Sequence, residues 1–145
     1  MQTFLPYSDF YKSAEVLDYK RLGKQRVEGF QIINTLGKRS TGITTGAWVN
    51  HPAVLMWTNH EISLINYCIA ITEEWVKRGY NDTMLERFKT YKDVYLQMGY
   101  NERDPLWLGD SKLHDSHKSN LVRKDADYYY PLFEISSDIP YYWPV

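Results

Sequence analysis

The chain has 145 residues, which is the usual length of one domain and is enough to bury a sizeable core. We therefore expect a single domain over 1–145. Hydrophobic residues at 43% and charged residues at 24% are ordinary globular values and argue against a disordered chain. The net charge of −1 argues against a uniformly basic nucleic-acid binder, and a single cysteine, Cys68, excludes an intramolecular disulfide. No apolar run approaches the roughly 20 residues of a membrane span and no signal peptide is visible, so the sequence predicts a cytoplasmic protein.

The first predicted helix begins near residue 9. Ser8 or Asp9 can cap it, apolar residues recur at helical spacing as far as Leu36, and Gly37 is expected to end it. A loop rich in Gly, Ser and Thr follows. The pattern predicts one continuous helix between the cap and Leu36.

The second predicted helix starts at Asn50, which is expected to cap it. Pro52 falls in the first turn, where a missing N–H costs little. The apolar pattern runs to a C-terminal glycine, Gly79, and allows a break near Asn59.

The third and last predicted helices have clear start signals. Thr83 and Glu86 form a capping box for a helix that continues to Gly99. Asp110 is expected to cap a last helix over residues 111–124.

The C-terminal tail is rich in tyrosine and interrupted by Pro131, Pro140 and Pro144, so we expect extended chain along the surface. Its tyrosines can pack a core edge or stack on bases, and composition does not choose between these. No strand alternation or internal repeat is evident. The predicted fold is therefore all-α: a compact single-domain helical bundle with an extended aromatic C-terminal tail.

Cations cluster in two stretches of this nearly neutral chain. Lys20, Arg21 and Lys24 can share one face of the first helix, which suits a phosphate. Solvated helix faces also produce such runs, so charge alone leaves both interpretations open. The clustered cations of "DYKRLGKQRVEGF" and "KLHDSHKSNLVRK" are Lys20, Arg21, Lys24, Arg26, Lys112, Lys118, Arg123 and Lys124.

The last helix has few apolar residues to dock it. Its polar groups are therefore expected to be partnered or to reach a ligand. The polar stripe and its neighbours are Ser116, Asn120, Arg123, His114, His117 and Lys118.

Several other chemistries have weak support. His114 and His117 are three residues apart and could face one ion, but a zinc site needs three or four ligands and the chain lacks the thiolates. Ser116 and His117 are adjacent on a helix and point in different directions, so they cannot form a triad with Asp115. No P-loop, G-x-G-x-x-G or G-x-S-x-G motif is present. The sequence predicts neither a metal nor a cofactor.

Four segments in order carry a family resemblance: "SDFYKSAEVLDYKRL", "HPAVLMWTNH", "EEWVKRGYN" and "HDSHKSNLVRKDADYYY". Together they resemble the small pyrimidine-dimer DNA glycosylases of the phage endonuclease V type, over most of the chain. The motifs "RLGKQR", "NHPAV" and "SHKSNLVRKD" are similar to a bacterial and phage branch of that superfamily.

The resemblance implies a compact all-α fold that binds DNA across the first helix and flips a base. It also implies attack on the sugar C1′ by the N-terminal α-amine, giving an imine that permits strand cleavage. An α-amine is partly neutral and nucleophilic at pH 7, and flipping costs about a few kcal/mol, less at a damaged step. Gln2 is too bulky for normal removal of Met1, so this amine is expected on Met1.

The family's essential glutamate has no direct counterpart here. Matching on "DYKRL" places Arg21 at that position, and matching on "QRVEG" places Gly23 there. Glu28 lies one turn beyond Lys24 and is the expected substitute in the same pocket. An ion pair between Glu28 and Lys24 is the alternative interpretation.

The first hypothesis is a DNA N-glycosylase, with abasic-site lyase activity as a further expectation, acting on a damaged or modified pyrimidine as a monomer. Met1 and Glu28 would be catalytic. The second hypothesis is a non-catalytic protein that binds DNA, a nucleotide or a cyclic nucleotide, and the third is an N-glycosidase of modified nucleotides. The residues expected to contact phosphate, sugar or base are Lys20, Arg21, Lys24, Gln25, Arg26, His114, His117, Lys118, Asn120, Arg123 and Lys124.

Overall fold

The computed structural model describes all residues, 1–145, and they form helices and loops without a strand. The all-α prediction is confirmed. No helix combines the length and apolar character that crossing a bilayer requires. The helices, in chain order, are α1 (Phe10–Val16), α2 (Tyr19–Ser40), α3 (Pro52–Leu55), α4 (Glu61–Lys77), α5 (Leu85–Gln97), α6 (Ser111–Lys124) and α7 (Ala126–Phe133).

The first predicted helix is two helices. Leu17 takes an extended conformation and Asp18 caps α2, with its carboxylate accepting from the Arg21 N–H at 3.3 Å. Gly37 does not end α2, because the helix runs on to Ser40 and the chain reverses at Gly42, whose φ is +94°. The apolar periodicity spans both helices, which hides the break at residue 17.

The second predicted helix also divides. His51, rather than Asn50, caps the short α3, since its Nδ1 accepts from the Ala53 N–H at 3.0 Å. A turn with Asn59 at φ +68° separates α3 from α4, as the pattern allowed.

The predicted capping box on α5 is wrong. The carboxylate of Asp82 accepts from the N–H groups of Met84 and Leu85 at 3.0 and 2.7 Å, so Asp82 takes the place expected for Thr83 and Glu86.

The last predicted helix matches α6, with Asp110 as its cap. The tail is only partly extended, since residues 126–133 form α7 with Pro131 inside it. Asp125 caps α7 by accepting from the Tyr128 N–H at 3.3 Å, and Glu134 ends it in the left-handed conformation. Residues 134–145, which we term the C-terminal segment, are the extended part.

The apolar core forms around α4, which packs against α1, α2 and α5. Glycines let α2 approach α4 closely. A Cβ on Gly29 would overlap the Sγ of Cys68, and one on Gly23 would lie 2.8 Å from the ring of Trp75. This packing holds one face of α2 against the core and turns the other toward the two ends of the chain.

Candidate active site

A cleft of about 390 Å³ lies beside residues 1–5, which we term the N-terminal segment. This segment is extended, and residues 2–5 are buried. The cleft is lined by residues of the N-terminal segment, of α2, of the end of α6 and of the C-terminal segment. These are Met1, Gln2, Phe4, Lys20, Arg21, Lys24, Gln25, Glu28, Lys124 and Tyr141.

Gln25 attaches the N-terminal segment to α2. Its Oε1 accepts from the Phe4 N–H at 3.0 Å, and its Nε2 donates to the Gln2 carbonyl at 3.0 Å. The hydroxyl of buried Tyr67 lies 2.7 Å from the same Oε1, and Nε2 also donates to Glu28 at 3.0 Å. Because these contacts occupy the amide, Gln25 orients the N-terminal segment rather than presenting a free group to a base.

Two histidines of α6 hold the next residue. The Leu5 N–H donates to Nδ1 of His117 at 2.8 Å, and Nδ1 of His114 donates to the Leu5 carbonyl at 2.7 Å. Nε2 of His114 accepts from the Gly109 N–H at 2.9 Å, which fixes its tautomer. Burial, reinforced by nearby His114, lowers the pKa of His117 to about 3, so His117 is neutral.

Glu28 connects the N-terminal segment to the cations. Its Oε2 accepts from the Gln2 N–H at 3.4 Å and its Oε1 lies 3.8 Å from Nζ of Lys24. The carboxylate is 14% exposed whereas Lys24 is 74% exposed. The predicted ion pair with Lys24 is therefore present. The same carboxylate contacts the N–H of Gln2, the residue that follows Met1 and its α-amine.

The cations of the cleft differ in how they are held. Lys20 and Lys124 have no carboxylate within salt-bridge distance, whereas Arg21 pairs with Asp18 at 3.1 Å. Burial alone would raise the pKa of Asp18, but hydrogen bonds from Tyr129 and Arg21 outweigh it and lower that pKa. The residues that line the cleft include four cations and a single carboxylate, that of Glu28. This excess of positive charge suits an anionic ligand.

Two predicted phosphate contacts lie elsewhere. Arg26 forms a salt bridge with Asp82 at 2.5 Å and stacks over Trp75, with 4.7 Å between the guanidinium carbon and the ring centroid. Lys118 has its ammonium 4.8 Å from the ring centroid of Tyr7. Neither Arg26 nor Lys118 lines the cleft.

Asn120 and Arg123 also lie outside the cleft and hold the C-terminal segment. Arg123 donates through Nε to the Ser137 carbonyl at 2.8 Å and through NH1 to Oδ1 of Asn120 at 2.6 Å. Nδ2 of Asn120 donates to the Ile139 carbonyl at 3.1 Å. Asn120 and Arg123 thus bind each other and the backbone of the C-terminal segment. These contacts hold the segment so that Tyr141 lines the cleft.

Sequence reasoning missed Phe4, Gln2 and Tyr141 among the residues that line the cleft. The tyrosine-rich tail was a general signal for Tyr141, but nothing in the sequence indicated which tyrosine would reach α2. Burial chiefly raises the pKa of Tyr141, while Arg123 opposes that rise. Two buried donors lack a protein partner, Nε2 of Gln2 and Nε2 of His117.

No group of three or more His, Cys, Asp or Glu side chains is arranged to hold a metal ion.

A family model described as pyrimidine dimer DNA glycosylase matches residues 1–88, more than half of the 145-residue chain. The match contains the N-terminal segment, all of α1 to α4 and the cleft residues of α2, whereas α6 follows it. Neither a curated protein nor a solved structure gives a significant match to the chain.

Proposed function

Because the chain belongs to the pyrimidine dimer DNA glycosylase family, we propose that it excises a damaged or modified pyrimidine from DNA at the cleft beside Met1 and Glu28. The observation that carries this proposal is the contact between Glu28 and the first peptide group, made inside a cationic cleft. A nucleophile, a carboxylate and phosphate-binding cations then share one site, as glycosidic bond cleavage on DNA requires.

The DNA backbone would lie along α2. Lys20, Lys24 and Lys124 present ammonium groups at the cleft, and Arg21 adds a guanidinium already oriented by Asp18. Such contacts fix register without reading sequence. The molecule carries a net charge of −1, so its affinity for duplex DNA would come from this local cluster.

The chemistry begins with the neutral α-amine of Met1, which attacks C1′ of the extruded nucleotide. The bond between C1′ and the base breaks, and the base leaves with that electron pair and is protonated by solvent. Glu28 would take a proton from the attached nitrogen, since its carboxylate adjoins the first peptide group, and would return it to the ring oxygen O4′ as the sugar opens to a protonated imine. The protonated imine acidifies C2′, and loss of a C2′ proton to a base with departure of the 3′ phosphate on the C3′–O electron pair gives the lyase reaction.

A second candidate is an N-glycosidase that forms no imine. By the resemblance, the position of the glutamate in the better-known relatives falls on Arg21 or, in the other register, on Gly23, and the absence of an acid at both favours a changed mechanism. Glu28 would then activate water instead of the amine. Non-catalytic binding of DNA or a nucleotide on the same cations is a further alternative. Action as a monomer in the cytoplasm also belongs to the proposal.

The test is borohydride reduction of the protein on abasic DNA, combined with an assay of base release from damaged pyrimidine substrates. We expect a covalent adduct with the unaltered protein and a loss of at least ~100-fold in its rate for Glu28→Gln, because a positioned general base contributes roughly 10²–10⁴-fold. Glu74→Gln is the matched control. Glu74 also pairs with a cation four residues along its helix and is 13% exposed, but it lies outside the cleft.

The outcomes separate the candidates. Base release without an adduct supports the glycosidase that forms no imine. Absence of both adduct and base release, with tight and salt-tolerant binding of a mononucleotide, supports the binding protein and overturns the enzymatic proposal.

A further inference from the structure

Four aromatic rings form a continuous row that starts in the cleft, and we term this row the aromatic strip. Tyr141 lines the cleft, and its ring centroid lies 5.4 Å from that of Trp143. Trp143 is 5.7 Å from His51, which is in turn 5.6 Å from Trp48. The strip joins residues of the C-terminal segment to residues of the loop that precedes α3.

Trp48 is the outermost ring and is held in an unusual conformation. Its side chain is 52% exposed, and its φ is +69°, a left-handed value that bulky residues rarely adopt. The next residue, Val49, is only 3% exposed, and its carbonyl accepts from Arg39 at 2.9 Å. The loop is therefore anchored at the residue that follows the ring, and backbone strain of this kind persists where the surrounding structure imposes it, often at binding sites.

The inner end of the strip lies at the proposed reacting groups, because Tyr141 lines the same cleft as Met1 and Glu28. Burial lowers the pKa of His51, and the charge of the N-terminal amine lowers it further while Glu28 opposes this. The cations Lys20 and Lys24 belong to the same cleft through α2.

Aromatic rings beside a cationic groove are the usual means of binding an unpaired nucleic-acid strand, with phosphates on the cations and bases stacked on the rings. The contacts of the inner rings also serve packing, since Tyr141 and Trp143 pack against the core. Trp48 does not pack against the core. It is largely exposed, and its one aromatic neighbour is His51.

We infer that the aromatic strip is a stacking surface for unpaired bases of the DNA strand held in the cleft, with Trp48 as its outermost contact. This inference rests on the proposed function, because it takes the cleft to hold DNA. Stacking tolerates any base, so the strip adds affinity for unpaired bases near the extruded nucleotide without adding sequence preference.

The test compares single-stranded oligothymidylate with a baseless deoxyribose-phosphate strand of the same length, in binding to Trp48→Ala, Trp48→Phe and the unaltered protein. We expect Trp48→Ala to weaken binding to oligothymidylate by ~5- to 150-fold, as loss of one stacked base contact does, and to leave the baseless strand unaffected. Trp48→Phe keeps a ring and should lose far less. Tyr11→Ala is the control, since Tyr11 is 51% exposed and lines a groove away from the cleft.

Salt dependence separates stacking from charge. Trp48→Ala should leave the slope of log affinity against log salt unchanged, whereas Lys20→Ala should reduce it by about 0.7 for a single strand. The inference is overturned if Trp48→Ala binds both strands as the unaltered protein does, or if the unaltered protein shows no preference for the strand with bases. Failure of the proposed chemistry is read separately, from Glu28→Gln in the base-release assay.

Discussion

The two helices α4 and α6 are both largely buried, yet they are held in opposite ways. The buried residues of α4 are mostly apolar and belong to the core cluster, whereas five of the eight buried residues of α6 are polar. Those five are His114, Ser116, His117, Ser119 and Asn120.

The polar groups of α6 are directed at the two ends of the chain. His114 and His117 bind Leu5, and Oγ of Ser119 donates to the Ser136 carbonyl at 2.7 Å and accepts from the Ile139 N–H at 3.0 Å. Apolar burial is non-directional and sets stability, whereas hydrogen bonds fix position. The comparison teaches that α4 stabilises the fold while α6 sets the geometry of the cleft.

Truncation of a buried apolar residue in α4 should have the largest effect on stability. Ile65→Ala leaves a cavity at a fully buried position and should lower the free energy of unfolding by about 2–5 kcal/mol. Urea denaturation measures this loss, with Val76→Ala as the control, because Val76 is 45% exposed at the end of the same helix. Base release per folded molecule should be unchanged. A loss of base release beyond the loss of folded protein would contradict the division of roles between α4 and α6.

Acid should lower the free energy of unfolding through His117 of α6. The pKa of His117 is about 3 in the folded protein and about 6.5 when unfolded, so the unfolded state binds the extra proton between these values. Stability from this group is therefore complete above pH 6.5 and is lost as pH falls toward 3, by about 3 kcal/mol at pH 4.5, because each pH unit between the two pKa values costs about 1.4 kcal/mol. In His117→Asn the side chain at this position does not titrate. The difference in free energy of unfolding between this variant and the unaltered protein should therefore shrink by that amount on acidification to pH 4.5. A constant difference would contradict the neutral, buried state of His117.

Removal of the acceptor at residue 117 should affect both stability and the cleft. His117→Phe keeps an aromatic ring but leaves the Leu5 N–H without a partner, which should cost about 1–3 kcal/mol. Single-turnover base release should fall further than the folded fraction does, because the N-terminal segment loses its anchor. His117→Asn keeps an acceptor near the position of Nδ1 and should recover most of this loss. Equal losses for the Phe and Asn variants would show that the acceptor has no positioning role.

The smallest effect is expected at the C-terminal segment. Ser119→Ala removes the acceptor for the Ile139 N–H and should cost about 1 kcal/mol. Thermal denaturation measures this cost. Fluorescence quenching, with the signal of Trp143 taken as the difference from the same protein carrying Trp143→Phe, reports the mobility of that tryptophan among the five in the chain. A change at Trp143 larger than in Ile65→Ala is the expected sign that α6 positions the tail.

Local signals in the sequence explain which parts of the fold were predictable. The Asp110 cap and the polar spacing of α6 sit within one short segment, and that helix was predicted with its observed bounds. The break at Leu17 was missed because the apolar period continues through it, and α7 was missed because Pro131 argued for extended chain. At α5 the local pattern offered more than one capping residue, and Asp82 takes that place with a carboxylate that is also held by Arg26, far away in sequence.

The cleft was predicted in part for the same reason. Lys20, Arg21 and Lys24 share a helix face, and spacing along α2 also brought Glu28 into consideration. That Arg26 points to Asp82 instead depends on a partner 56 residues away in sequence, which helical spacing cannot indicate. The role of His117 as a backbone acceptor likewise depends on the path of the N-terminal segment.

The span between Leu5 and His117 has a consequence for biosynthesis. These partners are 112 residues apart, and Asp18 and Tyr129 are 111 apart. At roughly 5–20 residues per second, a ribosome needs several seconds between making the first residues of the cleft and making the residues that anchor them. The region containing α1, α2 and α4 can begin to pack earlier, since its contacts are closer in sequence. A nascent chain would therefore acquire its core before its cleft, and a transcript truncated ahead of α6 would yield a partly packed protein whose N-terminal segment keeps its contact with Gln25 but lacks those with His114 and His117.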